Sequence, residues 1–449
     1  MISFSKILIF KFYLLLTLTC VTAQPQKEWL SRYNGPGNSF DIVSKINTGN
    51  TGNVYVYGSE NGIGSLYDFV IIKYNSTGVI KWIQRFNGPG NSIDQISSAV
   101  LDESENSYVT GQTTDSLNTL NITTAKYDSS GNLLWMKFFK RAEYTSGFGH
   151  AIDIDNVGNI ITAGFVRNNA GTFDIVIVKY SNSGNEISSV IYNGLGNGDD
   201  YPVSIKADSE NNIVLSGTTK SISGGSNILI KKYSSSLLTP LWEEQYNGSE
   251  NSDDKAAAMI LDSLDNIYFC GSMINTGSSS DYYYTKLNSA GIYQWGGIHN
   301  GTGNSIDIPS SLDLDNVGNL LITGFSRNST VIGSEDILTL KINETGNLLW
   351  ARRFNGSGNG TDQGNDIETD KSGNVYIGGA SDRGNVQLTY SLIKYNHEGI
   401  FQWFTGYSLN KIPEDFIYDI TVDDDNNIFV TGVSIDTVND YDIVTIKYS

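Results

Sequence analysis

The chain has 449 residues, with 48 acidic against 29 basic side chains and a formal net charge of −19. That balance excludes the concentrated basic surface that nucleic-acid binding requires. Its 2 cysteines exclude a disulfide-built scaffold.

The first 23 residues stand apart from the rest. Lys6 and Lys11 precede an apolar run from Phe12 to Leu18, and the small residues Val21-Thr22-Ala23 follow. The pattern predicts a secretory signal, residues 1–23, cleaved before Gln24. The run is too short for a spanning helix, and no later segment approaches that length, so no transmembrane segment is expected. Cys20 suggests a lipid-anchored alternative, but Thr17-Leu18-Thr19 before it makes a poor lipidation box. The expected product is exported, periplasmic or extracellular. Its one remaining cysteine, Cys270, reads as a small core residue. An acidic, self-repelling surface suits a soluble monomer.

Residues 24–449 read as a single domain made of eight repeats of about 53 residues, a period that marks a solenoid, propeller or array. An Asn recurs at Asn53, Asn106, Asn159, Asn212, Asn266, Asn319, Asn374 and Asn427. Five residues after each comes a Gly, from Gly58 to Gly432, and further on a Lys, from Lys73 to Lys447. A Trp opens the unit at Trp29, Trp82, Trp135, Trp242, Trp295, Trp350 and Trp403, with Ser188 at the missing place. Each copy holds four strand signals: A after an Asp, B after a D-x-x-G-N type turn, C as a β-branched run, and D at the Trp. Strand C is apolar on both alternating faces, as in Phe69-Val70-Ile71-Ile72, so both its sides should be covered. Four-stranded antiparallel sheets stacked in a ring meet that need, which predicts an all-β, eight-bladed β-propeller. The first strand after the signal is a lone D at Trp29 and the last is a C ending at Tyr448. Pairing them closes the ring and leaves no open edge.

The run D-x-x-G-N-x-Y-x-T-G followed by D-x-x-x-x-K resembles the bacterial SBBP-type β-propeller repeat along residues 24–449. The resemblance implies a propeller fold on exported bacterial proteins and no particular activity. The family's name suggests seven blades, whereas this sequence supplies eight.

Candidate chemistry begins with an Asp twelve residues after each Trp position: Asp41, Asp94, Asp200, Asp254, Asp307, Asp362 and Asp415, with Gly147 in the third copy. These could ring a channel mouth and draw cations, or each could bond the backbone N–H groups of its own NGxGNS loop. The repeated Lys needs a partner if buried, either an A–B turn Asp (Asp102, Asp155, Asp208, Asp262, Asp315, Asp370, Asp423) or turn carbonyls. The Trp column reads as blade-to-blade packing. One place breaks the symmetry, Lys140 to Gly147 beside the Ser188 blade, and offers Arg141, Glu143, Tyr144 and His150 as a local binding site. The D-x-D-x-x-G-N stretches at Asp153 and Asp313 occupy hairpin turns and lack the later Glu of a calcium loop. His150, His299 and His397 fall at unrelated repeat positions, so no metal site, cofactor or catalytic residue is expected.

The B–C loops are short and uniform, except for two extra residues around Val331 and Ile332, and propeller enzymes need asymmetric loops. The expected function is therefore a non-catalytic scaffold binding a protein or glycan through the face of the B–C and D–A loops. Two alternatives remain. Lys341-Ile342-Asn343-Glu344-Thr345-Gly346 with Trp350 resembles the tryptophan-docking motif of quinoprotein dehydrogenases, although their adjacent-cysteine disulfide has no counterpart here. A periplasmic envelope-assembly scaffold would share the fold.

Overall fold

A computed structural model describes residues 24–449 except 238, 330–332, 385–386, 409–413 and 436–439. The expected signal with Cys20, and the insertion at Val331 and Ile332, lie outside the described residues. Eight antiparallel four-stranded sheets form a β-propeller. Blade 1 shows the plan, with A at Ile42–Thr48, B at Val54–Glu60, C at Asp68–Tyr74 and D at Ile80–Phe86. Burial decides which strand goes where. B and C are buried at every residue, A lines the channel half-buried, and D, with its charged and polar positions, faces outward.

The core sits at the seams between blades. Each of the eight apolar clusters draws on two adjacent blades, as when Val54, Val56, Val70 and Ile72 of blade 1 meet Phe429, Val433 and Ile443 of blade 8. Blade 8 is completed by the strand Lys27–Tyr33, which pairs antiparallel with Tyr441–Tyr448 and sets Trp29 opposite Lys447 and Tyr33 opposite Ile443. Ring closure by the first strand is thus as the sequence predicts.

Each column of the repeat has a physical cause. The Gly column lies opposite a bulge in strand A: a Cβ at Gly58 would stand 2.2 Å from the Ile42 carbonyl oxygen, so only glycine fits. The Trp column locks one blade to the next. Trp82 lies against Gly131 in the C–D turn of blade 2 and donates Nε1–H to the Ser129 carbonyl at 3.2 Å. Lys73 Nζ donates to that same carbonyl at 2.9 Å. The Lys column uses both expected partners: Lys179, Lys232 and Lys341 pair with Asp155, Asp208 and Asp315 at 2.8, 2.7 and 2.8 Å and also reach turn carbonyls of the following blade.

Two breaks in the pattern are repaired by a neighbouring blade. Where Ser188 replaces Trp, the next C–D turn carries Leu237 in place of Gly, at the same offset of 49 residues that separates Trp82 from Gly131. Leu237 is buried in the core between blades 3 and 4, at a positive φ of 63° that a leucine rarely adopts. The side chain fills the volume a tryptophan ring takes elsewhere. In blade 1 the A–B turn has Gly49 where the other copies have Asp, and Glu105 of blade 2 reaches across to replace the missing carboxylate. Its oxygens accept from Thr51 N at 2.9 Å, Asn53 Nδ2 at 3.0 Å and Tyr55 Oη at 2.8 Å, and Lys73 Nζ lies 3.4 Å away.

Candidate functional site

The D–A and B–C loops lie on one face of the ring, because strand A begins where strand B ends. Their shape is set by the Asp column. Asp94 Oδ2 accepts from Gly88 N at 2.6 Å, and its Oδ1 accepts from Thr114 N at 2.9 Å, so one carboxylate ties a D–A loop to a B–C loop. Asp41, Asp200, Asp254 and Asp362 repeat this geometry. Asp307 accepts from Gly301 N and Asp415 from Ile435 N. All seven are buried. Of the two readings of this column, the hydrogen bonds match the loop-closing one and not an open ring at the channel mouth: a buried carboxylate is stable only where N–H groups replace its water. Burial pushes the Asp41 carboxyl up to about 7 and that of Asp362 to about 6 against these hydrogen bonds.

In the asymmetric segment only part of the expected group comes together. Residues from Tyr144 extend strand A of blade 3 to Tyr144–Ile154, with Tyr144 paired to Asn168. Arg141 is held by Glu186 at 2.5 Å and stacks over Phe139 at 4.3 Å. Arg141 and Tyr144 line a cavity of only about 20 Å³, room for a water. Glu143 is exposed beside them, and His150 lies six residues along the strand from Tyr144, about 20 Å away on the channel wall. His150 thus stands apart from the other three.

What the mouth presents is aromatic. At the seam of blades 8 and 1, Phe40, Tyr67, Phe416, Tyr418 and Tyr441 surround a depression of about 210 Å³, with Phe40 and Tyr418 47% and 44% exposed. At blades 3 and 4, Phe148, Phe165, Phe173 and Tyr201 form a connected stack with ring centroids 4.9 to 5.9 Å apart. Beside Tyr201 a second depression of about 530 Å³ runs across blade 4 to blade 5. Sequence reasoning missed both clusters. The available signal was the residue after the Asp column, which is aromatic in three copies, at Phe148, Tyr201 and Phe416.

A second unforeseen group lines the channel. Asp313, Asp366, Glu368 and Asp419 occupy strand A of blades 6, 7 and 8, and Lys45 faces them from blade 1. Asp419 accepts from Lys45 Nζ and Ile46 N, both at 2.6 Å, and Asp366 from Ile420 N at 3.0 Å and Ser311 Oγ at 2.7 Å. Asp419 and Asp366, with Asp313 accepting from Thr369 Oγ1 at 2.8 Å, stitch blade to blade across the channel wall. Burial, with Asp366 close by, pushes Asp419 up to about 7, and burial pushes Asp313 to about 6; Glu368 is raised by burial and by Asp313 and Asp366. Burial pulls the Lys45 amine down, but Asp419, Asp366 and Glu368 more than offset it.

A stability dependence on pH follows. The folded protein binds these protons more tightly than the unfolded chain, whose carboxyls titrate near about 4, so ionisation on the folded protein costs stability. Their contribution to stability is fully present below the unfolded value and is lost as pH rises through the folded values toward about 7. The melting temperature should be higher at pH 5 than at pH 8, and Asp419→Asn should flatten the slope. A melting temperature that climbs between those pH values would refute this.

Residues 349–385 match the model of the SBBP beta-propeller repeat. The matched span takes in strand D of blade 6 and strands A and B of blade 7. The SBBP repeat thus straddles two structural blades, the same phase that leaves a lone D strand to close the ring. No curated protein matches the chain. Among solved structures, the quinohemoprotein alcohol dehydrogenase from Comamonas testosteroni aligns over 94% of this chain and 76% of its own, at 10% identity and a TM-score of 0.54. The WD40 domain of SCAP from fission yeast covers 93% of this chain and 98% of its own at 6% identity and 0.47. An ulvan lyase of polysaccharide lyase family PL25 covers 92% and 95% at 12% and 0.44. At these identities the likeness is one of fold alone. Among the described residues no helix is long and apolar enough to cross a membrane.

Proposed function

We propose that this SBBP-repeat propeller is an exported, non-catalytic binding module whose ligand, a protein or a glycan, seats at the channel mouth on the D–A and B–C loop face. The observation that carries the reading is the gathering of half-buried and exposed aromatic side chains at that one mouth, around depressions of about 210 and 530 Å³. Rigid rings on a rigid scaffold give contact area at small entropic cost. Several of the buried titratable groups serve the fold. The Asp column holds loops, the channel carboxylates hold blades, and burial pushes the Cys270 thiol up to about 12.

A thermal-shift screen of soluble glycans and candidate exported proteins tests the reading, since a ligand of the folded ring raises the melting temperature. The shift should vanish in Tyr201→Ala or Tyr418→Ala and persist in Leu264→Ala, an exposed position on the opposite face. A shift indifferent to both mouth variants, or turnover of the ligand, would overturn it.

A further inference from the structure

Resting on that reading, we infer that the depression across blades 3, 4 and 5 takes a neutral oligosaccharide. Its lining combines Tyr201 and Thr218 with two carboxylates, Asp199 and Asp253, and two amines, Lys220 and Lys255. Tyr201 is the outer ring of the four-ring stack, 5.1 Å from Phe165 and 5.8 Å from Phe173, so its orientation is fixed before any ligand arrives.

The carboxylates are positioned in the same way from equivalent places in successive blades. Asp199 Oδ1 accepts from Phe173 N at 3.0 Å. Asp253 Oδ1 accepts from Ser226 N at 3.1 Å and Ser226 Oγ at 3.0 Å, with Lys220 Nζ at 3.8 Å. A backbone N–H thus fixes each acid through Oδ1, joined at Asp253 by the Ser226 hydroxyl, and the Tyr201 hydroxyl also bonds the Asp199 carboxylate. Lys255 is exposed at the rim.

A pyranose matches this arrangement from both sides. Its apolar C–H face lies on an aromatic ring, and its hydroxyls both donate to carboxylates and accept from ammonium groups. Two acids and two bases leave the lining without net formal charge, so an ionic ligand gains nothing there. The overall charge of −19 further disfavours an acidic polysaccharide. The volume, about 530 Å³, falls within the range of about 300 to 1,000 Å³ typical of small-molecule sites.

Isothermal titration of the protein with hexasaccharides of glucose, mannose, xylose and N-acetylglucosamine, with oligogalacturonate as the acidic arm and a tyrosine-rich peptide as the protein arm, tests the inference. One or more neutral sugars should bind saturably, and Tyr201→Ala should weaken that binding about tenfold, the value of one stacked ring. Asp253→Asn should weaken it too, while Tyr201→Phe retains most of it and Leu264→Ala all of it. Melting temperatures of the variants separate loss of the site from loss of the fold. Binding of only the acidic sugar or the peptide, still dependent on Tyr201, would overturn the sugar class and keep the mouth as the binding face. Neutral-sugar binding indifferent to Tyr201 and Asp253, or no binding by any neutral sugar, overturns the inference.

Discussion

A protein lacking residues 24–33 is expected to lose the ring altogether. The strand Lys27–Tyr33 supplies the outer edge of blade 8, and its side chains enter two seams: Trp29 and Tyr33 pack into the core shared with blade 1, Leu30 into the core shared with blade 7. Losing the burial of those three side chains alone costs on the order of 5 kcal/mol, which is comparable with the whole stability of many domains. It would also strip the ladder partner from Tyr441–Tyr448, leaving an unpaired edge that favours association. Size-exclusion chromatography and far-ultraviolet circular dichroism should show an aggregated or expanded species. Grafting the same ten residues after Tyr448 should restore the folded species of the full chain, because the strand is needed for its place in the sheet. A truncated protein that stays monomeric with an unchanged melting temperature would show that the closure contributes nothing.

Glu105→Ala should be the most damaging single substitution outside the apolar core, and Gly49→Asp should rescue it. Glu105 satisfies blade 1 from blade 2, bonding Thr51, Asn53 and Tyr55 and facing Lys73 at 3.4 Å. Hydrogen bonds from Thr51 and Asn53 outweigh its burial and hold the carboxyl down at about 2. Removing the acid leaves a buried ammonium with a weaker environment and several donors unmet, a cost of about 3–5 kcal/mol. In other blades the turn Asp makes the equivalent bonds: Asp370 accepts from Asn374 Nδ2 at 2.7 Å and Tyr376 Oη at 2.9 Å. Gly49 has no positive φ, and the Glu105 side chain is what a Cβ there would strike, so the double variant has room for Asp. Denaturation midpoints of the two single variants and the double variant measure the coupling. If Gly49→Asp fails to recover Glu105→Ala, the replacement of one carboxylate by the other is wrong.

The Ser188 and Leu237 pair follows the same logic and bears on the third blade. Viewed along the sequence, Ser188 is a lost tryptophan, and Leu237 is an unremarked residue in a turn. In the ring, Leu237 fills a core that has no tryptophan, so the irregular blade is a repacked seam. The same holds for Arg141, Glu143, Tyr144 and His150: adjacency in the chain suggested a site, and an extended strand carries His150 away from the other three. The aromatic mouth was hidden for a related reason. Phe148, Phe173 and Tyr201 are single aromatic residues at loop–strand boundaries, up to 53 positions apart in the sequence, and only the packing of blade 3 on blade 4 brings their rings together.

What the sequence determined by itself was everything that recurs with the repeat: four strands per unit, eight units, strand C covered on both sides, and closure by the first strand. Those features depend on local alternation, on turn residues and on a count, all of which are written in one dimension. The Asp column shows where that stops. Its spacing was legible, but whether seven carboxylates face a channel or hold loops depends on which backbone N–H groups come within reach. Only the tertiary structure decided this, together with the channel carboxylates that stitch blades 6, 7, 8 and 1 and the two repairs made by neighbours. Those contacts join residues about one repeat apart or, for Asp419 with Lys45 at the closure, 374 residues apart, and their energies depend on the angle between blades and on the loss of water at the seams, neither of which a periodic pattern encodes.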